Sequence, residues 1–339
     1  MIPRSTAILK TPSWQQLLAN SFTRVSALLE WLGIEPSECN LPSDEVQDFP
    51  LRVTREFASR MHKGDADDPL LLQVLPQQRE MQAAAGYGLD PVGDLSAAVA
   101  PGMLRKYRGR ALLITTPACA IHCRYCFRRH FPYQQQRLEQ QLSAQTLASL
   151  DAPDISEIIL SGGDPLMLGD RRLSQLLNQL QQLPHLKRLR IHTRMPVILP
   201  ARVTPELVEM LAHFPLPVSM VLHVNHPNEL DKSVDTALQQ LRQSNTQLLN
   251  QAVLLKGIND STAVLMRLCE KGFDSGILPY YVHQLDRVDG GAHFRVATQR
   301  ARELQEQLRR ELPGYLVPRF VTEIAGECSK TPLKLINHR

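Results

Sequence analysis

The stretch Ala111-Leu-Leu-Ile-Thr-Thr-Pro-Ala-Cys119-Ala-Ile-His-Cys123-Arg-Tyr-Cys126 reads as a short apolar strand running into a loop that carries three cysteines. Three thiolates within eight residues can converge on one metal centre only if the loop wraps around it. A 4Fe–4S cluster ordinarily takes four cysteines, so three leave one iron open to a further ligand. Zinc wants a fourth Cys or His nearby, and His122 and His130 are at hand. The spacing alone leaves both centres open.

Outward from this loop, short β-rich runs alternate with helical ones. The strands are predicted at Ala111–Thr115, Glu157–Ser161, Leu189–Thr193, Val218–His223, Leu248–Val253 and Leu278–His283. Helical periodicity falls near 137–150, 171–183, 204–213, 230–243, 261–271 and 297–311. Six strands each followed by a helix imply an α/β fold of parallel βαβ units with right-handed crossovers. An open doubly wound sheet and a partial barrel both fit, and both put chemistry on loops at the carboxyl ends of strands. The polar motifs do follow the first, second, fourth and sixth predicted strands. Upstream, Trp14–Leu32 is predicted as one amphipathic helix stopped by Gly33, and 50–63 as a second with Pro50 in its first turn. Residues 65–102, rich in Pro, Gly and Ala, read as a connection over the surface.

The chain has 339 residues, 43% of them hydrophobic and 21% charged, enough to bury a core and inconsistent with a disordered or collagen-like protein. No apolar run approaches the roughly 20 residues needed to cross a bilayer, and Met1–Lys10 lacks the pattern of a secretory signal. A cytoplasmic setting is expected, where clustered thiols bind metal or do chemistry rather than form disulfides. Cys39, Cys269 and Cys328 stand alone and read as small apolar residues. The net charge is only +4, yet the 44 residues from Leu95 to Leu138 hold eight basic residues and no acidic one, so the remainder nets −4. That basic stretch, which includes the three cysteines, reads better as the lining of a site for anions than as a docking surface.

The cysteine spacing, with Tyr125 before the third thiol, resembles the signature of the radical S-adenosylmethionine (SAM) enzymes. The resemblance implies that Cys119, Cys123 and Cys126 hold a 4Fe–4S cluster whose open iron is chelated by SAM. It also implies a partial (β/α)6 barrel, with an N-terminal helical region and a short C-terminal segment. The turn Ser161-Gly162-Gly163-Asp164-Pro165 suits close backbone approach to a ligand; in the family such a turn meets the amino group of SAM, a role carried to Gly162, Gly163 and Asp164.

Further blocks narrow the resemblance to lysine 2,3-aminomutase: Arg194-Met-Pro-Val-Ile-Leu-Pro200, His223-Val-Asn-His-Pro-Asn-Glu229, Val253-Leu-Leu-Lys-Gly-Ile-Asn-Asp260 and Pro279-Tyr-Tyr281, within residues 100–332. Within that family the short branch acting on translation elongation factor P is most similar in length and ending. The resemblance implies a second cofactor, pyridoxal 5′-phosphate (PLP), held on Lys330 in Gly326-Glu-Cys-Ser-Lys-Thr-Pro332, where the family often has a glycine run instead of Glu327, Cys328 and Ser329. It further implies Arg110 and Lys106 near PLP, Arg128 on the substrate α-carboxylate, where a planar guanidinium fits bidentately, and Asp286 and Glu323 on its ε-ammonium. Glu323 stands where the family has aspartate. His223 and His226 are expected to be polar lining rather than metal ligands. The implied parts are residues 1–104, a helical region; 105–312, the barrel core; and 313–339, the PLP-lysine segment.

The expected reaction moves the amino group of L-lysine from C2 to C3, an isomerisation. The product, β-lysine, would serve modification of a lysine of elongation factor P, with that factor and its lysyl-transfer ligase as functional partners and a reducing electron donor. Metabolic members continue beyond the PLP lysine with a cysteine-bearing tail. Here nine residues follow Lys330 and Ser261 replaces a zinc cysteine, implying no structural zinc and an altered assembly, with a homo-oligomer left open. Two rivals remain: a metabolic aminomutase turning over free lysine, and a nucleic-acid-binding module using the basic stretch. The low aromatic content (5%) and absence of a recognition motif argue against nucleic acid, and no membrane partner is expected.

Overall fold

The computed structural model describes residues 12–42, 49–135, 138 and 142–334; the Met1–Lys10 reading and the start of the helix predicted near 137 lie outside them. The predicted helix Trp14–Leu32 is in fact two, α1 (Trp14–Ala19) and α2 (Val25–Leu32). The chain breaks between them because Phe22 pairs its backbone with Val53, N to O at 2.7 and 3.0 Å, while Ser13 caps α1 and Gly33 ends α2 at φ +70. The same pairing holds residues 50–53 extended. The second predicted helix therefore shrinks to one turn, α3 (Arg55–Ala58), capped by Thr54 rather than opened by Pro50. Residues 65–102 are not a surface connection: Leu70, Leu71, Val74 and Leu75 are buried in the main core.

A short hairpin, β1 (Ala98–Ala100) and β2 (Met103–Leu104), leads into the sheet. Then come β3 (Arg110–Thr116), α4 (Ala144–Leu150), β4 (Glu157–Gly162), α5 (Asp170–Leu180), β5 (Arg188–Thr193), α6 (Met195–Ile198), α7 (Pro205–Ala212), β6 (Val218–Leu222), α8 (Lys232–Gln243), β7 (Gln247–Leu254), α9 (Thr262–Asp274), β8 (Leu278–Gln284) and α10 (Thr298–Glu311). Two further strands follow, β9 (Arg319–Thr322) and β10 (Thr331–Pro332). The strands lie in sequence order, with β3 to β9 all parallel and the hairpin and β10 antiparallel at the two edges. All six predicted strands are present; β9, a seventh parallel strand, was not predicted.

Period-two alternation separates the faces of the sheet. Leu189 and Ile191 on β5, Met220 and Leu222 on β6, and Leu248 and Ala252 on β7 pack into the core. Their neighbours on the opposite face are Arg190, His192, Val221 and Gln251. The sheet curls so that its two flanks meet: Lys106, just after β2, reaches Glu323, just after β9, with Nζ 2.8 Å from Oε1. The result is a half-barrel whose concave face is unusually polar for a strand interior.

Candidate active site

The cysteine loop follows β3, and residues from the N-terminal third clasp it. His122 N donates to the Arg52 carbonyl at 3.0 Å and Arg124 N to that of Gln73 at 2.9 Å. Arg124 is fully buried and donates to both carboxylate oxygens of Glu80, which also meets Arg129 at 3.0 Å. Arg124 and Arg129 therefore tie the loop to the body rather than line a site for anions. Arg105 likewise pairs with Asp154 and is partly exposed. Part of the basic stretch is therefore turned away from the concave face, Arg124 and Arg129 by the buried Glu80 carboxylate and Arg105 by Asp154.

Among the described residues, the one group of three His, Cys, Asp or Glu ligand atoms within 4.8 Å of one another is His62, Asp65 and Asp68. The three thiols do not all lie within that distance of one another. The zinc alternatives are also engaged elsewhere: His122 Nδ1 lies 2.8 Å from the Pro50 carbonyl and His130 Nε2 3.3 Å from that of Asp289. Burial, reinforced by the neighbouring thiols, pushes Cys119 well up and Cys126 up to about 11. Such thiols ionise when a cation binds them, which is how metal binding and proton release are linked.

The glycine turn at the end of β4 fits against the root of this loop. Gly163 N donates to Thr116 O at 2.7 Å and Asp164 N to Ala118 O at 2.8 Å. A Cβ on Gly163 would stand 2.3 Å from the Ala118 oxygen, and one on Gly162, where φ is +121, 2.8 Å from that of Thr116. Only glycine admits this approach. The Asp164 carboxylate accepts four bonds from the chain itself, from Thr193 Oγ1, Arg194 N, Met195 N and Leu166 N, at 2.7 to 3.1 Å.

Along the concave face runs one line of alternating charge. Lys330 Nζ is 2.8 Å from Glu323 Oε2; Glu323 Oε1 accepts from Lys106; Lys106 Nζ is 2.6 Å from Asp94 Oδ1; and Asp94 Oδ2 accepts from Arg128 Nε at 2.6 Å. Arg128 Nη1 continues it to Ser161 Oγ at 3.0 Å. Burial pushes the Glu323 carboxyl up, but Lys330 and Lys106 outweigh this and take it down to about 2. Asp286 behaves oppositely: burial and the nearby Glu323 carry it up to about 7. Tyr107 hydrogen-bonds Glu323, and Arg110 lies over its ring, 5.4 Å from the centroid. The structure thus brings Lys330, Glu323 and Lys106 into direct contact and links Arg128 to them through Asp94, with Asp286 within their electrostatic reach and Arg110 at the margin. Asp94, Tyr107 and Ser161 belong to this assembly and were not singled out in the sequence.

Nor were His192, Gln251 and His283, whose Nε2, Oε1 and Nε2 atoms are buried without a partner. Burial and Lys330 hold His283 neutral, and burial with Arg190 and Lys330 does the same for His192. Buried polar atoms without partners are costly, so a half-barrel that keeps them beside Lys330 is built for a polar guest. His223 Nε2 lies 3.1 Å from Tyr125 Oη, and His226 caps the turn Pro227–Glu229. Of the isolated cysteines, Cys269 is buried and Cys39 packs on the core, but Cys328 is exposed because the turn before Lys330 projects outward. Ser261 caps α9 through Val264 N.

A half-barrel of six βα units with three thiols on its first loop defines the class, and a family model described as the Radical SAM superfamily matches residues 113–269. Curated relatives are more specific. The chain is 46% identical to L-lysine 2,3-aminomutase of Escherichia coli K12, over 96% of this chain and 97% of that protein. It is 42% identical to the enzyme so named in Haemophilus influenzae, over 98% of each, and 33% identical to that of Clostridium subterminale, over 94% of this chain and 77% of that one. The chain belongs to the L-lysine 2,3-aminomutase family. Members are isomerases that use a 4Fe–4S cluster, SAM and PLP, and the three thiols, Lys330 and the unpartnered lumen groups fit that set.

Proposed function

We propose that the chain moves the amino group of L-lysine from C2 to C3 and that the β-lysine goes to a lysine of translation elongation factor P. The line of charge from Lys330 to Arg128 carries the reading of the site. It sets the Arg128 guanidinium at one end and, toward the other, the Glu323 carboxylate beside Lys330 with Asp286 close by, matching an amino acid with a cationic tail. When bound, the cluster with SAM supplies a carbon radical that takes an unactivated hydrogen, and PLP carries the migrating nitrogen and spreads the unpaired electron.

In this reading Cys119, Cys123 and Cys126 hold the cluster, and Gly162, Gly163 and Asp164 shape the wall where SAM lies. Because Asp164 is saturated by the chain's own donors, its part is to hold that wall, with the glycine backbone facing the ligand. Lys330 anchors PLP while Arg110 and Lys106 supply positive charge for its phosphate. Arg128 has Nε and one Nη engaged, and its other edge meets the α-carboxylate. Glu323 is held by two cations in the structure. The ε-ammonium of the substrate would pair with Glu323 alongside these cations. Asp286 gains its counter-charge from the same ammonium.

The resemblance to the elongation-factor branch supports the physiological role, and reduced thiols suit the cytoplasm. Partners are then elongation factor P, its lysyl-transfer ligase and a low-potential electron donor. Anaerobic incubation with L-lysine, SAM and reductant, with and without elongation factor P and its ligase, tests this. β-Lysine that becomes attached to the factor supports the role. Rapid turnover of free lysine with no transfer would instead assign a metabolic aminomutase, and no β-lysine at all would overturn the reaction.

A further inference from the structure

Behind the cysteine loop lies a guanidinium to which the assignments above give no task. Arg194, at the end of β5, is 6% exposed. Its Nη1 donates to Cys123 Sγ at 2.8 Å and to Tyr125 Oη at 2.9 Å. Its Nη2 donates to Gln73 Oε1 at 2.7 Å and to Glu229 Oε2 at 2.9 Å. Asn225 ties the frame together, giving its amide to Tyr125 Oη at 2.6 Å and Gln73 Oε1 at 3.1 Å. Glu229 Oε1 accepts from the backbone of Asn225 and His226.

We propose that Arg194 is a positioning residue that sets the reduction potential of the cluster through Cys123, resting on the assignment of the three cysteines to that cluster. Both Nη groups are committed to the protein and only the buried Nε lacks a partner, so the side chain has no two-pronged edge to offer SAM or lysine. The Arg194–Glu229 pair is a buried dipole with its positive end on the sulfur. A charge-assisted N–H···S bond withdraws electron density from a ligating thiolate and favours the reduced cluster, since hydrogen bonds to the sulfurs and local charge are among the levers on such potentials. The frame is rigid because it spans four separate segments: Gln73, Tyr125, Arg194 and Asn225–Glu229. Its effect is to ease electron entry from a low-potential one-electron donor.

The test uses the reconstituted holoenzyme. Iron content and the electron paramagnetic resonance (EPR) signal of the reduced wild type report whether the cluster assembles, which judges the cysteine assignment separately. In protein labelled with guanidinium-nitrogen-15 arginine, pulsed EPR should show a nitrogen coupling that is absent from Arg194→Lys and Arg194→Met. In EPR-monitored redox titration, Arg194→Met should move the reduced-to-oxidised ratio at fixed potential at least tenfold toward oxidised, equivalent to 59 mV for one electron. Arg194→Lys, keeping the charge without the fork, should fall between. An assembled wild-type cluster without the nitrogen coupling overturns the proposal, as do variants that titrate like wild type. If Arg194→Met does not assemble, Arg194→Lys and the wild-type coupling decide.

Discussion

Lys106 Nζ lies 2.8 Å from Glu323 Oε1 across the opening of the sheet and 2.6 Å from Asp94 Oδ1. One ammonium thereby joins the β2 flank to the β9 flank and pairs with two carboxylates, buried Asp94 and half-buried Glu323. Lys106→Met leaves both with fewer cations, and breaking a buried pair from one side costs about 3 kcal/mol. The pH dependence has a defined sign. The Glu323 carboxyl sits at about 2 in the fold against 4.5 ordinarily, so its stabilisation is present above 4.5 and fades as the pH falls toward 2. In Lys106→Met the folded value rises, and that window narrows. Urea unfolding near neutral pH should show the loss, and the drop in midpoint on acidification should shrink; equal midpoints for the two proteins would refute the link.

Asp286 gives a second pH signature. Its carboxyl is raised from 3.8 to about 7 by burial and Glu323, so the free enzyme holds it protonated in mild acid. Its contribution to stability is present below 3.8 and is lost as the pH rises through about 7, where the buried group must ionise. A bound ε-ammonium reverses that penalty. The KM for lysine should therefore fall as the pH rises through about 7, and Asp286→Asn should bind lysine weakly with a flat profile. A wild-type profile without an inflection there would remove Asp286 from ammonium binding.

Gly163→Ala tests the joint between the glycine turn and the cysteine loop. The added Cβ would meet backbone, 2.3 Å from the Ala118 oxygen and 2.7 Å from the Pro117 carbonyl carbon, so no side chain is available to yield. Overpacking of this kind costs about 3 kcal/mol, and here the strain falls on the residues leading into Cys119. Expected outcomes are a lowered urea midpoint and reduced iron per chain after reconstitution. Wild-type stability and iron content would show that the loop can shift freely.

How much of this was legible in the sequence depends on how far apart the interacting residues lie. Strands β3 to β8 stand out as short β-rich runs between helical stretches, and in Arg188-Leu-Arg-Ile-His-Thr193 apolar and polar residues also alternate. The same alternation could have flagged Arg190 and His192 as lumen residues. Strand β9 is four residues long, too short for a period to register. The helix predicted through Phe22 fails because a partner at Val53 outbids local propensity. Asp94 and Gln73 carry no motif, and Glu229 stands in a quoted block without a role of its own; they matter through contacts with Arg128 and Arg194 that span 34 to 121 residues. Cysteine spacing and family resemblance reach the thiols and Lys330, while the groups that hold them in place are visible only once the chain is folded.

Lys330→Ala removes the amine that anchors PLP in the proposed site and one of the two cations on Glu323. The visible absorbance of lysine-bound PLP should disappear on reconstitution while iron content stays at the wild-type level, since Lys330 and the cysteine loop share no contact in the charge line. Persistence of that absorbance would move the anchor to another lysine.

Arg128→Lys separates carboxylate recognition from cofactor loading. The guanidinium spends Nε on Asp94 and Nη1 on Ser161, at 2.6 and 3.0 Å, and keeps a further edge for the substrate. A lysine ammonium is a point charge with no fork; paired with Asp94, it has no second planar edge to offer. Loss of a charged hydrogen bond is worth about 1.5–3 kcal/mol, or roughly a ten- to hundredfold fall in kcat/KM for lysine. PLP absorbance and iron content should stay near wild type. Asp94→Asn should weaken lysine turnover in the same direction, because it releases Arg128 from the geometry that aims its free edge. Full turnover by Arg128→Lys would mean that the α-carboxylate is held elsewhere, and His192, whose Nε2 is buried without a partner, would then be the group to substitute next.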